Sequence, residues 1–364
     1  MSNVLSDDKR LAVLKALVDG CSISTVSRLT EVNRRTITRL LLAFGLGAQR
    51  LWDRLCRDLV SARVEFDEIW SYVGKKEARR LPTDAPGIGE AYSFVAIDSL
   101  SRMVITWKVG RRDQATTDAF IKDLRARLVT APQLTSDGWA PYITAVGSEF
   151  GLSIDYMQCV KQYSRGGRRD DHRYEPARDP FVRKTVVYGA PDPKAATTSY
   201  VERLNGTTRH TNGRLRRLSY AFSKKPECHE AAVALDYVAM NLTHVLRTTR
   251  LSPALAANVT DHVWSLPELL EALDSAVMPD AIEAKPLAHR EPETTARALP
   301  NGRGFLRVVS TPTPARKHAP GVPDAPPPPV APAVEPTIAL APPRQLNLFD
   351  GLDEFGRPKG PEGK

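Results

Sequence analysis

The sequence predicts an α/β protein: a mixed sheet with flanking helices, preceded by an all-α module and followed by a disordered tail. Three observations lead there. Residues 7–45 carry apolar side chains at helical spacing, and residues 62–156 change to β-rich runs broken by turns and two helical stretches. Beyond position 275 lie 18 of the 29 prolines, a composition that buries too little apolar surface to offset the entropy of ordering. A length of 364 residues leaves room for about two domains. The expected divisions are a helical module at 1–48, a linker at 49–61 and a sheet domain at 62–250. A helical segment at 251–276 and a tail at 277–364 complete the chain.

In the N-terminal module a first helix from about Asp8 to Val18 places Leu11, Leu14 and Val18 together, and Asp19-Gly20 stops it. A second helix follows Ser22, with Val26 and Leu29 expected inside. Asn33 is placed to cap a third, whose apolar face is Ile37, Leu40, Leu41 and Phe44. The opposite face carries Arg34, Arg35, Thr38 and Arg39, residue types that reach phosphates and base edges. Helix, tight turn and basic amphipathic helix predict a helix-turn-helix; a small bundle with a solvated basic face is the simpler alternative.

The next region reads as strands at Val64–Val73, Tyr92–Ile97 and Met103–Val109, then a helix over Gln114–Val129 with Ala115, Ala119, Ile121, Leu124 and Leu128 on one side. A strand at Gln133–Ser136, a short helix and a strand at Leu152–Met157 follow, for an order β-β-β-α-β-α-β. Residues 161–197 are polar, basic and without apolar period, which predicts an inserted arm. Helices resume near Ser199, and His229–Arg247 is amphipathic, with Leu235, Val238, Ala239, Leu242, Val245 and Leu246 inward.

Charge narrows the function. The 51 basic residues against 42 acidic ones give +9, an excess that favours a polyanionic partner through counterion release. The four cysteines lie far apart with no C-x-x-C pair, which argues against a disulfide framework and a thiolate zinc site. No apolar run reaches the roughly 18–20 residues of a membrane span, and the N-terminus lacks a signal-peptide core. A cytoplasmic, nucleoid-associated protein is expected.

Phosphodiester cleavage requires neutralised phosphate charge and an activated oxygen nucleophile. Two hard divalent cations, Mg²⁺ or Mn²⁺, held by a few carboxylates supply both. Asp67 lies inside a β-rich run, where a carboxylate is costly to bury unless paired or ligating. Asp137 ends a short strand, and Glu202 falls in the first turn of a helix that Thr198 or Ser199 is placed to cap. Each has a plainer explanation. Glu65 or Glu68 is the alternative inward acid on the first strand, Asp137-Gly138 is a common turn dipeptide, and the helix dipole alone favours Glu202.

The strings Phe66-Asp67-Glu68-Ile69-Trp70-Ser71-Tyr72-Val73-Gly74, Ser136-Asp137-Gly138-Trp139 and Tyr200-Val201-Glu202-Arg203-Leu204-Asn205 resemble DDE transposases of the insertion-sequence-one family. Phe222-Ser223-Lys224-Lys225 with Glu227 and His229 is similar to that family's pattern too, and the likeness runs from about Val64 to Leu270. The resemblance implies an RNase H-like catalytic fold in which Asp67, Asp137 and Glu202 form the metal-binding triad. Asn205 and Arg209 match neighbours of that glutamate and would adjoin DNA; Arg203, Arg209, His210 and Arg214 along the Glu202 helix are placed to hold phosphates, with solvated basic residues as the simpler alternative. It also implies binding to terminal inverted repeats of double-stranded DNA, and work on two ends favours a homo-oligomer. The chain departs from the best-known members in lacking a cysteine-ligated zinc finger, and the proline-rich tail has no counterpart. An RNase H-type nuclease without strand transfer, or a non-catalytic DNA-binding regulator, remain alternatives.

Within the tail, Gln345-Leu346-Asn347-Leu348-Phe349 is an apolar patch. It resembles the linear motif by which bacterial proteins bind the DNA polymerase sliding clamp, so Gln345, Leu346, Leu348 and Phe349 are candidate partner-binding residues.

Overall fold

A computed structural model describes residues 5–162, 181–217 and 219–277. The proline-rich tail with its clamp-like patch, and residues 163–180 of the basic arm, lie outside the described residues. No helix among the described residues is long and apolar enough to cross a membrane.

Helices α1 (Asp7–Val18), α2 (Ile23–Thr30) and α3 (Arg34–Leu55) come first. Two N-caps form as side-chain chemistry dictates: the Ser22 hydroxyl accepts from the Thr25 amide at 3.1 Å and the Asn33 carboxamide oxygen from the Arg35 amide at 2.9 Å. Between α2 and α3, Glu31 takes the left-handed conformation that turns the chain. Val26 is buried as expected, but Leu29 is 64% exposed.

Of the linker expected at 49–61, only the stretch after Leu55 is irregular. Helix α3 runs on to Leu55, with Leu51, Trp52 and then Cys56 buried, and the Trp52 indole N–H donates to the Ile105 carbonyl at 2.9 Å. Apolar residues continue at helical spacing through that stretch, so the helix has a core-facing side along its length. Gly45 permits this packing: a Cβ there would stand 2.4 Å from Ala231. The N-terminal helices therefore share one core with the sheet.

That sheet comprises β1 (Arg63–Val73), β2 (Gly89–Asp98), β3 (Val104–Gly110), β4 (Gln133–Ser136), β5 (Tyr156–Gln162) and β6 (Phe181–Tyr188), in the order β3-β2-β1-β4-β5-β6. Pairings β1–β2, β2–β3 and β5–β6 are antiparallel, while β4 runs parallel to both β1 and β5. Two sequence expectations fail here. Strand β6 occupies part of the presumed arm, because backbone pairing to β5 needs no apolar period on an edge strand whose side chains are largely exposed. The fifth strand also begins at Tyr156 rather than Leu152, which is 69% exposed in the preceding turn.

Helices cover both faces. On one side α4 (Gln114–Arg127) and α5 (Pro141–Phe150) enclose Phe66, whose ring meets Tyr142 edge-on at 4.8 Å and Phe120 at 6.2 Å. Helix α4 turns Thr117, Phe120, Ile121 and Leu124 inward and leaves Ala115 and Ala119 exposed, a rotation of the expected face driven by the larger ring of Phe120. The other side carries α6 (Ser199–Thr211) and a following 3₁₀ turn, with Val201, Leu204 and Leu215 on Ile69, Val95 and Ile97. Helix α7 (Pro226–Thr243) lies against α3 and ends before Val245, which is 48% exposed. Helices α8 (Pro253–Ala256) and α9 (Leu266–Val277) close the described chain.

Candidate metal and nucleic-acid site

Strand β1 runs through the middle of the sheet, and its parallel register with β4 pairs Phe66 with Ser136. The next residue on each strand is a carboxylate, so Asp67 and Asp137 come side by side at the point where β4 ends. Glu68 joins them: carboxylate oxygens of Asp67, Glu68 and Asp137 lie within 4.8 Å of one another. The sequence offered Glu68 as an alternative to Asp67; in the structure both contribute.

Glu202 approaches from α6, and what positions that helix is Glu65. The buried Glu65 carboxylate accepts hydrogen bonds from the Tyr200 amide (2.9 Å), the Val201 amide (3.0 Å) and the Ser99 hydroxyl (3.1 Å). It thus fills the capping role expected of Thr198 or Ser199. The Thr198 hydroxyl instead donates to Glu202 Oε1 at 2.8 Å, and Lys161 of β5 pairs with the other Glu202 oxygen. Glu202 is outside the tight three-acid cluster, but its charge acts on both Asp67 and Asp137.

The electrostatics are those of crowded, partly desolvated acids. Burial, then the charges of Asp137 and Glu68, push Asp67 up to about 7. Burial raises Asp137 and Glu68 as well, with Arg112 opposing through its positive charge. Arg112 pairs with Glu68, approaches Asp137 to 3.7 Å and lies over the Trp139 ring at 4.0 Å. Glu68 also accepts from the Tyr142 hydroxyl at 2.9 Å, and Asp137 from the Trp139 amide at 3.0 Å.

These residues suit a hard divalent cation. The donors are carboxylate oxygens on three rigid positions, and their mutual repulsion is relieved by positive charge placed among them. An orphaned polar atom lies alongside: Asn205 donates its amide to Asp67 at 2.8 Å, and its buried Oδ1 has no hydrogen-bond partner among the described residues. Asn205 was expected at the DNA; burial at 3% exposure and this bond make it a holder of Asp67 instead.

Of the other expected DNA contacts, Arg34, Arg35, Arg39 and Arg203 are exposed. Thr38 is half-buried and its hydroxyl donates to the Arg34 carbonyl at 2.9 Å. Arg209 is half-buried near Asp67, and its Nε has no partner among the described residues. Sequence reasoning missed Arg112 and Lys161 as members of this site, and it offered Glu65 as an alternative inward acid without its capping role. Only Glu65 left a trace, as an acid in a β-rich run.

No family model and no curated protein matches the chain. Among solved structures, a cryo-EM structure of the piggyBac transposase synaptic complex with hairpin DNA aligns over 76% of this chain and 73% of that one, at 12% identity and a TM-score of 0.34. A likeness of that size carries no argument about function, and nothing in these comparisons supports membership of the insertion-sequence-one family.

Proposed function

We propose that this chain is a DDE-type DNA transposase with an RNase H-like core, which cuts element ends and joins them to target DNA. The observation that carries the reading is the convergence of Asp67, Asp137 and Glu68, with Glu202 facing them, from strands and a helix far apart in sequence. The strand order β3-β2-β1-β4-β5, with β4 and β5 parallel to β1, supports the RNase H-like fold. The α2–turn–α3 unit with its exposed arginines supports a helix-turn-helix that reads the element end.

In this reading Asp67, Asp137 and Glu202 hold two Mg²⁺ or Mn²⁺ ions, with Glu68 beside them. The ions supply Lewis-acid activation of a water or 3′-hydroxyl nucleophile and charge neutralisation at the phosphate. The protein's share is orientation and electrostatics. Asn205 fixes the Asp67 carboxylate, Glu65 sets the pitch of α6 and so the reach of Glu202, and Arg112 offsets part of the negative charge. Exposed arginines on α3 and α6 hold phosphates and keep the duplex in register.

Incubation with labelled inverted-repeat ends and Mg²⁺ tests it. Wild type is expected to yield joined products, and Asp67→Asn to lose cutting and joining while it still binds the ends. Cut products alone would assign a nuclease, and retention without cutting a DNA-binding regulator. An active Asp67→Asn protein overturns the site.

A further inference from the structure

A cleft of about 440 Å³ opens between the α1–α2 turn and α3 on one wall and the segment from the end of α6 to α7 on the other. The walls meet closely at Gly20, where a Cβ would stand 1.6 Å from the Thr211 carbonyl oxygen. This cleft is separate from the acidic cluster. From Glu202 to Thr211 is nine residues of helix, about 14 Å at 1.5 Å per residue, or roughly four nucleotides of one strand at 3.4 Å each.

Its charges are unbalanced. The Arg214 guanidinium has no carboxylate within bonding distance among the described residues; its contact is the Ser223 hydroxyl at 3.5 Å. Burial pushes it below the usual arginine value, as expected of a desolvated cation without a counter-ion. Lys224 is exposed at the mouth, its ammonium 3.0 Å from the centre of the Phe222 ring. The one acid of the lining among the described residues, Asp236, is held up at about 7 by burial, so it offers only part of a charge near neutrality. Hydroxyls of Ser22, Ser24 and Thr38 supply neutral groups on the opposite wall.

We propose that this cleft binds the DNA sugar-phosphate backbone, with Arg214 and Lys224 on phosphates, and carries the duplex from the α3 arginines towards the acidic cluster. The assignment rests on the DNA-binding part of the function proposed above and adds the path between its two ends. A phosphate accepts charge-assisted hydrogen bonds from a guanidinium and gives it the counter-ion the protein withholds. Thr38 ties the two surfaces together, since it lines the cleft and lies on α3 within about one turn of Arg34, Arg35 and Arg39.

The test is the salt dependence of affinity for a duplex of about 30 base pairs, read by fluorescence anisotropy with the full chain. Arg214→Gln and Lys224→Gln are each expected to shallow the slope of log K against log salt by about 0.9, one phosphate contact apiece. Lys122→Gln, an exposed charge on α4, serves as control and should leave the slope unchanged. Because Arg214 is largely buried, the exposed Lys224 provides the variant least able to act through misfolding. Slopes for both variants equal to the control overturn the cleft, as does a wild type that does not bind DNA. Shallower slopes in a protein that neither cuts nor joins DNA would uphold the cleft and remove the transposase reading alone.

Discussion

His229 ties helix α7 to β1 at Ser71, four residues from Asp67, and it predicts a measurable pH dependence of stability. Its ring is fully buried, with Nε2 at 3.2 Å from the Ser71 hydroxyl and Nδ1 at 2.9 Å from the Ser223 hydroxyl. Ser71 donates to the Ala91 carbonyl, so its oxygen accepts from Nε2–H, and Nδ1 accepts from Ser223. Protonation would turn Nδ1 into a donor and set a charge beside Arg214. Burial first, then that arginine, accordingly hold the imidazole down at about 4, against an ordinary value of 6.5. The folded state thus binds the proton more weakly than the unfolded state. His229 contributes stability that is complete above about pH 6.5 and falls away as pH drops towards 4. Integrating the linkage from about pH 7.5 to about pH 4 gives roughly 3 kcal/mol. Raised carboxylates such as Asp236 shift stability in the opposite sense over this window, so the measurement is a difference between two proteins. Urea unfolding by tryptophan fluorescence, for wild type and His229→Gln, should show the wild-type advantage shrinking by about that amount on acidification. An advantage that stays constant within about 1 kcal/mol would refute the buried neutral imidazole.

Two further perturbations probe the site's supports. Glu65→Ala removes two amide bonds at the start of α6, at a cost of about 1–2 kcal/mol, and by loosening Glu202 should lower Mg²⁺-dependent cleavage at least about tenfold; Glu65→Gln, which keeps one acceptor oxygen, should recover part of both, as thermal melts and end-cleavage assays would show. Arg112→Ala leaves Glu68 and Asp137 without their guanidinium partner, so Tb³⁺ luminescence sensitised by Trp139 should report cation binding roughly tenfold tighter, about 1.4 kcal/mol; unchanged or weaker binding would mean that Arg112 does not compete for these acids.

The parts of the fold legible in the sequence were those with local causes. Strand β1 announced itself by β-branched and aromatic density, and its observed range, Arg63–Val73, begins within a residue of the expectation. The cap at Asn33 needed only a side chain that reaches a nearby amide. What failed depended on distant partners. Residues 49–55 looked like a linker because their burial needs α7, α9 and the Ile105 carbonyl, none close in sequence. Strand β6 hid in a basic stretch because its pairing energy lies in the backbone and not in side-chain periodicity.

The site divides along the same line. By itself the sequence determined that carboxylates stand at Asp67, Asp137 and Glu202, each on an element whose type was readable, in a chain rich in positive charge. Tertiary structure alone decided that Glu68 joins the cluster, that Asn205 serves Asp67, that Glu65 caps α6 and that Arg112 answers the acids. The reason is physical: periodicity records which side of an element faces the core, whereas the meeting of charges depends on register between strands and the docking of a helix more than 130 residues away.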